Sequence, residues 1–296
     1  MTQPTRREFL QTASLATAAA CLPALGPSAQ AGEKRTGANR GRIYKSNKGG
    51  AIGADKAGML ETLETYKTLG FDGIEGGSTS IKDPAALLDA MAEVDFPVHG
   101  LVGGVHWQQR LSSPDPAARQ IGLESLIAAL HLAHQLRGST VLLVPGKVTG
   151  ADENHDHVWE RSIVEIRKAL PTASRLGVRI LIENVWNGFC EEPDQFRDYI
   201  DEIDSPWVGA YFDIGNVRKF GKPEDWIRTL GSRIVKLDVK DWGKENGFCR
   251  LGEGDVDWPA VREALAEIEF TGWATREGRD KSLEDTAQLM DELLDL

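Results

Sequence analysis

The chain is poor in cysteine. Only three of its 296 residues are Cys, and only Cys190 and Cys249 lie beyond residue 31, so a small disulfide-stapled scaffold is excluded. It also has no apolar run fit to span a bilayer. The most apolar stretch, residues 13–25, is short and poor in leucine, against the ~20 residues a spanning helix needs. Basic residues are outnumbered, 34 Lys and Arg against 45 Asp and Glu, for a net charge of −11. A surface of that sign repels a phosphate backbone and argues against nucleic acid as a partner. Internal repeats, low-complexity tracts and a second-domain boundary are missing as well. What remains, 41% hydrophobic and 27% charged residues, suits one large soluble core of the size an α/β barrel needs.

The first 31 residues read as an export signal. Thr5-Arg6-Arg7-Glu8-Phe9-Leu10 is a twin-arginine pattern, a small apolar run follows, and Ala29-Gln30-Ala31 fits a small-x-small cleavage site. In that order these elements predict Tat export to the periplasm or beyond and removal of residues 1–31, with no stable membrane insertion afterwards. Cleavage leaves 32 basic against 44 acidic residues, a net charge of −12. Residues 32–41, rich in Gly, Lys and Arg, read as a flexible linker, and residues 42–296 as one folded domain.

From residue 42 onward, short apolar runs alternate with amphipathic stretches. Strands are expected at 42–45, 70–75, 97–102, 140–144, 179–183, 207–213, 234–240 and 272–277, several rich in Ile, Val and Leu. Helices are expected at 57–69, 84–94, 117–137, 158–176, 194–203, 223–230, 258–268 and 283–294, with Asp or Ser before several starts and Gly after several ends. Eight βα pairs in a chain of this size predict a closed (β/α)8 TIM barrel.

In such a barrel the active site lies at the C-terminal strand ends. The fifth strand ends at Glu183, the sixth at Asp213, the seventh carries Asp238, and the eighth ends at Glu277. A single acid at a strand end is ordinarily a surface residue. Four in register on consecutive strands, about 4.8 Å apart, repel unless protonated or bridged by a cation. Oxygen-only ligands suit a divalent cation such as Mn2+ or Mg2+, with Ca2+ a further option, better than structural zinc.

Ile182-Glu183-Asn184, Phe212-Asp213-Ile214-Gly215-Asn216, Val239-Lys240-Asp241 and Gly252-Glu253-Gly254-Asp255-Val256-Asp257-Trp258 resemble the xylose isomerase-like TIM-barrel family of sugar (phosphate) isomerases and epimerases. The resemblance implies that Glu183, Asp213 and Glu277 hold a divalent metal and that the two glutamates shuttle a proton beside a substrate carbonyl, through an enediolate. The family's strand-seven histidine is replaced by Asp238, still an oxygen ligand, and a second family histidine by Asn216.

Lys236, Asp238 and Lys240 alternate and share one strand face; Lys240 is expected to bind a substrate oxygen or to offset the extra charge of Asp238. Trp107, Trp186 and Trp242 follow the third, fifth and seventh strands and offer flat apolar faces to a sugar. His99, His106, Asn216 and Lys147 are further candidates for substrate contact, Glu75 for the rim, and Glu253 for the rim or for capping the helix at Trp258. His131 and His134 fall on a helix surface. A disulfide between Cys190 and Cys249 is expected to tie two loops over the site. The expected ligand is therefore a small carbohydrate or glycoside. Three readings stay open: a sugar isomerase or epimerase, a lyase that expels a β leaving group from a 3-keto-glycoside by the same enolisation, and a non-catalytic sugar-binding barrel. A DNA-repair nuclease on the same fold is disfavoured by the negative charge.

Overall fold

A computed structural model describes residues 37–296. The predicted export signal and residues 32–36 of the predicted linker lie outside the described residues. Strands β1 (Ile43–Lys48), β2 (Gly73–Gly77), β3 (Val98–Val102), β4 (Thr140–Leu143), β5 (Arg179–Glu183), β6 (Val208–Asp213) and β7 (Ile234–Val239) are all parallel. A hairpin, β8 (Asp241–Gly243) and β9 (Gly247–Cys249), follows β7, and β10 (Gly272–Arg276) closes the barrel between β7 and β1.

Helices α1 (Lys56–Thr68), α2 (Pro84–Val94), α3 (Pro116–Gln135), α4 (His155–Leu176) and α5 (Pro193–Ile203) precede a one-turn α6 (Ile214–Val217). Then come α7 (Pro223–Leu230), α8 (Trp258–Glu267) and α9 (Leu283–Leu294). Their starts follow local chemistry: the side chains of Asp55, Asp83, Asp115, Asn154, Asp257 and Ser282 accept from backbone N–H groups of the first turn. Asp257, rather than Glu253, therefore caps α8. Among the described residues no helix is long and apolar enough to cross a membrane.

Several boundaries shift by one to three residues from expectation, and two differences at the start of the domain matter most. Residues 37–41 are not free linker: Asn39 donates to the Leu294 carbonyl at 2.9 Å, and its own N–H reaches the Asp295 carbonyl at 3.0 Å. These bonds tie the domain's start to its C-terminal helix. The first strand runs on through Ser46-Asn47-Lys48, three polar residues that sequence pattern placed outside it. Polarity there is tolerated because the barrel interior supplies partners to Ser46 and Lys48, and Tyr66 of the first helix supplies one to Asn47.

Strand alternation sends Lys45 outward to Asp291 (2.6 Å) and Ser46 inward. Ser46 Oγ lies 2.6 Å from His99 Nε2, and Lys236 Nζ lies 2.6 Å from His99 Nδ1 and 3.2 Å from Glu75 Oε1. Tyr211 donates to Glu75 Oε2 at 2.8 Å. An ammonium only donates, so Nδ1 accepts and the Nε2–H faces Ser46. His99, stacked 4.0 Å from the Trp273 ring, and Glu75 thus fill the barrel core. Both are buried, which corrects the expectation that His99 touches substrate and that Glu75 lines the rim.

Burial, with Lys236 adding to it, holds the His99 imidazole well below its usual range. The fold keeps it neutral while the unfolded chain takes up a proton below about pH 6.5. Stability from this group is therefore complete above that pH and is lost as pH falls, by up to about 1.4 kcal/mol per pH unit. Denaturant melts between pH 7.5 and 5 are expected to show a shallower acid slope for His99→Gln than for wild type; equal slopes would refute the assignment.

Candidate active site

Parallel register sets the site. Asp213 and Asp238 are paired neighbours on β6 and β7, Glu183 ends β5, and Glu277 follows β10 by one residue. One carboxylate oxygen from each of the four lies within 4.8 Å of the other three. Asp213 and Asp238 are fully buried, Glu183 nearly so, and Glu277 is 39% exposed. The four acids expected from sequence converge.

Two lysines enter this ring. Lys240 Nζ sits 2.9 Å from Asp213 Oδ2 and 2.9 Å from Glu277 Oε2. Lys48, at the C-terminal end of β1, donates to Asp238 Oδ2 and, at 2.6 Å, to Glu277 Oε2, with Glu183 Oε1 4.0 Å away. Lys48 is the lysine in direct contact with Asp238, while Lys240, for which offsetting that charge was one of two expected roles, acts on it without a direct contact. Lys48 was not among the residues singled out from sequence. The signal available was its place two residues after Ser46, on the same strand face.

The surroundings split the carboxylates. Burial pushes Glu183 up to about 7, against the pull of Lys48 and Lys240 and with help from Glu277 and Asp213. Burial also raises Asp213 and Asp238, and neighbouring carboxylates add to it. Glu277 is desolvated too, but its contacts with Lys48 and Lys240 outweigh this and hold it well below the usual carboxylate range. Burial would lower both ammonium groups, yet the carboxylates keep Lys48 and Lys240 above the usual lysine range.

The donor set fits a hard divalent cation. It is all oxygen, and Asp238 Oδ1 is buried with no hydrogen-bond partner. Two ammonium groups against four carboxylates leave a formal charge of −2, the charge one divalent ion cancels.

A cavity of about 300 Å3 opens onto the ring, with His106, Trp107, Trp186, Asn216 and Phe248 among its walls. A second, of about 520 Å3, adjoins it through Lys240, Phe248 and Glu277, and continues past Cys249 to Arg279. Trp186 donates its indole N–H to the Asn216 carbonyl at 2.8 Å, so its face is what it offers a ligand. His106 is held at about 4 by burial and then by Lys48, hence neutral. Trp242 does not line either cavity but packs edge-on behind Trp186, 6.0 Å between centroids. Lys147 is exposed and lines neither. Lys236 belongs to the core network below. His131 and His134 are on the α3 surface as expected. Cys190 is buried with its thiol raised by burial, Cys249 is on the hairpin, and both are free. The predicted disulfide does not form.

The Gly252-to-Trp258 run has a structural explanation in Asp241. Its Oδ2 accepts from Gly252 N (2.8 Å) and Trp258 Nε1 (3.1 Å), and its Oδ1 from Trp242 N (2.9 Å). Gly252 has φ +80°, and a Cβ on Gly254 would stand 2.1 Å from Asp241 Oδ1. Both glycines are therefore required for the loop to wrap this carboxylate. Asn184 performs a like service between β5 and β6: its amide exchanges two 2.9 Å bonds with the Asp213 backbone.

The sequence pattern of the xylose isomerase-like TIM barrel matches residues 63–296. The chain belongs to that family. The matched span of this xylose isomerase-like barrel begins after β1, so it does not include Lys48. L-ribulose-5-phosphate 3-epimerase of Escherichia coli O157:H7 (strain EC4115 / EHEC) is 27% identical over 242 residues, 77% of this chain and 84% of that protein. The crystal structure of D-allulose 3-epimerase from Methylomonas sp. in complex with D-allulose superimposes with a TM-score of 0.67 at 20% identity, covering 81% of this chain and 85% of that one. That of apo 3-keto-D-glucoside 4-epimerase from E. coli gives 0.71 at 16% identity, covering 85% and 98%. These likenesses confirm the barrel.

Removing the Asp241 carboxylate strands several buried donors. Asp241→Ala is expected to cost about 2–4 kcal/mol by denaturant melt and to loosen the hairpin, read as faster hydrogen exchange at Gly252 and Trp242. A loss under about 0.5 kcal/mol would show that the loop holds without it.

Proposed function

We propose that this chain is a divalent-metal-dependent isomerase or epimerase of small sugars that works by moving a proton on the carbon next to a carbonyl. The observation that carries the reading is the convergence of Glu183, Asp213, Asp238 and Glu277 at one barrel mouth beneath an aromatic-walled cavity of monosaccharide scale. The sugar 3-epimerases among its relatives support it. Glu183, Asp213, Asp238 and Glu277 would hold Mn2+ or Mg2+, which when bound supplies Lewis acidity toward the carbonyl and adjacent hydroxyl.

The protein's own groups do the rest. Glu183 and Glu277 stand on strands separated by β6 and β7, so they approach a bound sugar from different sides. One removes the proton from the carbon and the other returns it, which inverts the centre or shifts the carbonyl. Lys240 lines the cavity beside Glu277 and donates to a substrate oxygen as negative charge builds there. Trp107 and Trp186 offer apolar faces to the ring, while Asn216 and neutral His106 supply polar contacts along the wall.

A second reading has its own observation. The adjoining 520 Å3 cavity has room for a second unit, as a 3-keto-glycoside lyase would need for its leaving group. Glu183→Gln and Glu277→Gln are each expected to lower turnover of a ketose panel by about 10²–10⁴-fold with unchanged melting behaviour, followed by deuterium uptake from D2O at the epimerised carbon. Activity retained in both variants would overturn the assignment. A released aglycone from a 3-keto-glycoside, with no ketose epimerised, would favour the lyase.

The twin-arginine pattern and the Ala29-Gln30-Ala31 site support export of the folded domain and cleavage after residue 31. Arg6→Lys with Arg7→Lys is expected to leave an uncleaved precursor in the cytoplasm; unimpaired periplasmic product would count against a Tat signal.

A further inference from the structure

Lys48 lies outside the family match yet its ammonium enters the carboxylate ring that the proposed metal would use. We propose that Lys48 is a tethered cation that shares the Asp238–Glu277 edge of that ring with the divalent ion and thereby sets how tightly the ion is held. This rests on the metal-dependent reading above.

Three observations carry it. Lys48 occupies one oxygen of Asp238 and leaves the other, Oδ1, buried and unpartnered, so the same carboxylate faces a lysine on one side and an open donor position on the other. Second, Lys48 also bonds Glu277 Oε2 and lies 4.0 Å from Glu183, so it touches or adjoins three of the four candidate ligands. Third, the formal charge of the ring with both lysines is −2, which a divalent ion cancels completely. Without Lys48 the ring would hold one more uncompensated negative charge and attract a cation more strongly. The ammonium sits on a flexible four-carbon stem and its side chain is 16% exposed. It can withdraw toward the cavity it helps to line, where it would face substrate oxygens. Asp238 and Lys48 thus act as a charge-matched pair, and altering one changes what the other does to the ion.

The test is a double-mutant cycle on the full chain, read by calorimetric titration with MnCl2 and by the melting temperature with and without Mn2+. Lys48→Met is expected to bind Mn2+ at least tenfold more tightly than wild type. Its metal-free melting temperature should fall and rise more on Mn2+ addition. Lys48→Gln carries the same expectation should Lys48→Met fold poorly, and Lys48→Arg, which keeps the charge, should not tighten binding. Asp238→Asn is expected to weaken binding tenfold or more in the wild-type background, and by at least threefold less beside Lys48→Met. Wild type that binds Mn2+ while Lys48→Met binds no more tightly, or two substitutions whose effects simply multiply, would overturn the role of Lys48 and leave the metal reading standing. No Mn2+ binding in any of these proteins would overturn both.

Discussion

Repulsion among four carboxylates is the constraint around which this barrel mouth is arranged. Parallel register delivers Glu183, Asp213, Asp238 and Glu277 to one level, and burial removes the water that would otherwise screen them. The fold answers with cations on two strands, Lys240 after β7 and Lys48 at the end of β1, the latter brought round by barrel closure against β10. Two unit charges reduce the repulsion without ending it. The three most deeply buried carboxylates, Glu183, Asp213 and Asp238, are left holding protons more readily than usual. Such a ring is stable enough to fold and still receptive to an incoming cation.

Beneath the ring lies a second polar layer. Ser46, His99, Lys236, Glu75 and Tyr211 are buried and mutually bonded, where a barrel of this kind is ordinarily filled by branched apolar side chains. The Tyr211 ring links the layers, with Lys48 Nζ 5.3 Å above its centroid and Lys236 Nζ 5.9 Å from it. A cation over an aromatic face is favourable, so Tyr211 gives Lys48 an apolar floor to rest on. Since a partly satisfied interior network is costly, the lower layer also fixes which way these strands face.

Alternation and strand-end acids carried most of the architecture in plain sight. β5 matched its expected bounds, as did α2, α7 and α9, because apolar runs and Asp, Pro and Gly punctuation mark them locally. Glu183, Asp213, Asp238 and Glu277 were legible because each follows an apolar run. Lys48 was not, since Ser46-Asn47-Lys48-Gly49-Gly50 reads as a polar loop until a closed barrel supplies partners to its inward side chains. The same blindness to tertiary partners sent His99 to the substrate and Glu75 to the rim in expectation, and placed Lys147 and Trp242 on the cavity wall. The two cysteines share a Gly-Phe-Cys context, but similarity of local sequence fixes no distance between loops.

The clamp at Asp241 separates two jobs that a single loop would otherwise mix. Its bonds anchor the base of the β8–β9 hairpin, while Phe248, paired with Trp242 one step along from that base, is half exposed and forms a wall common to both cavities. The tip can therefore diverge in shape while Lys240, just before the clamp, stays in place. Descendants of this chain could change the size of molecule they admit by replacing Phe248, whose ring packs on Trp186 and under the Lys240 ammonium, while the clamp keeps the hairpin's base where it is.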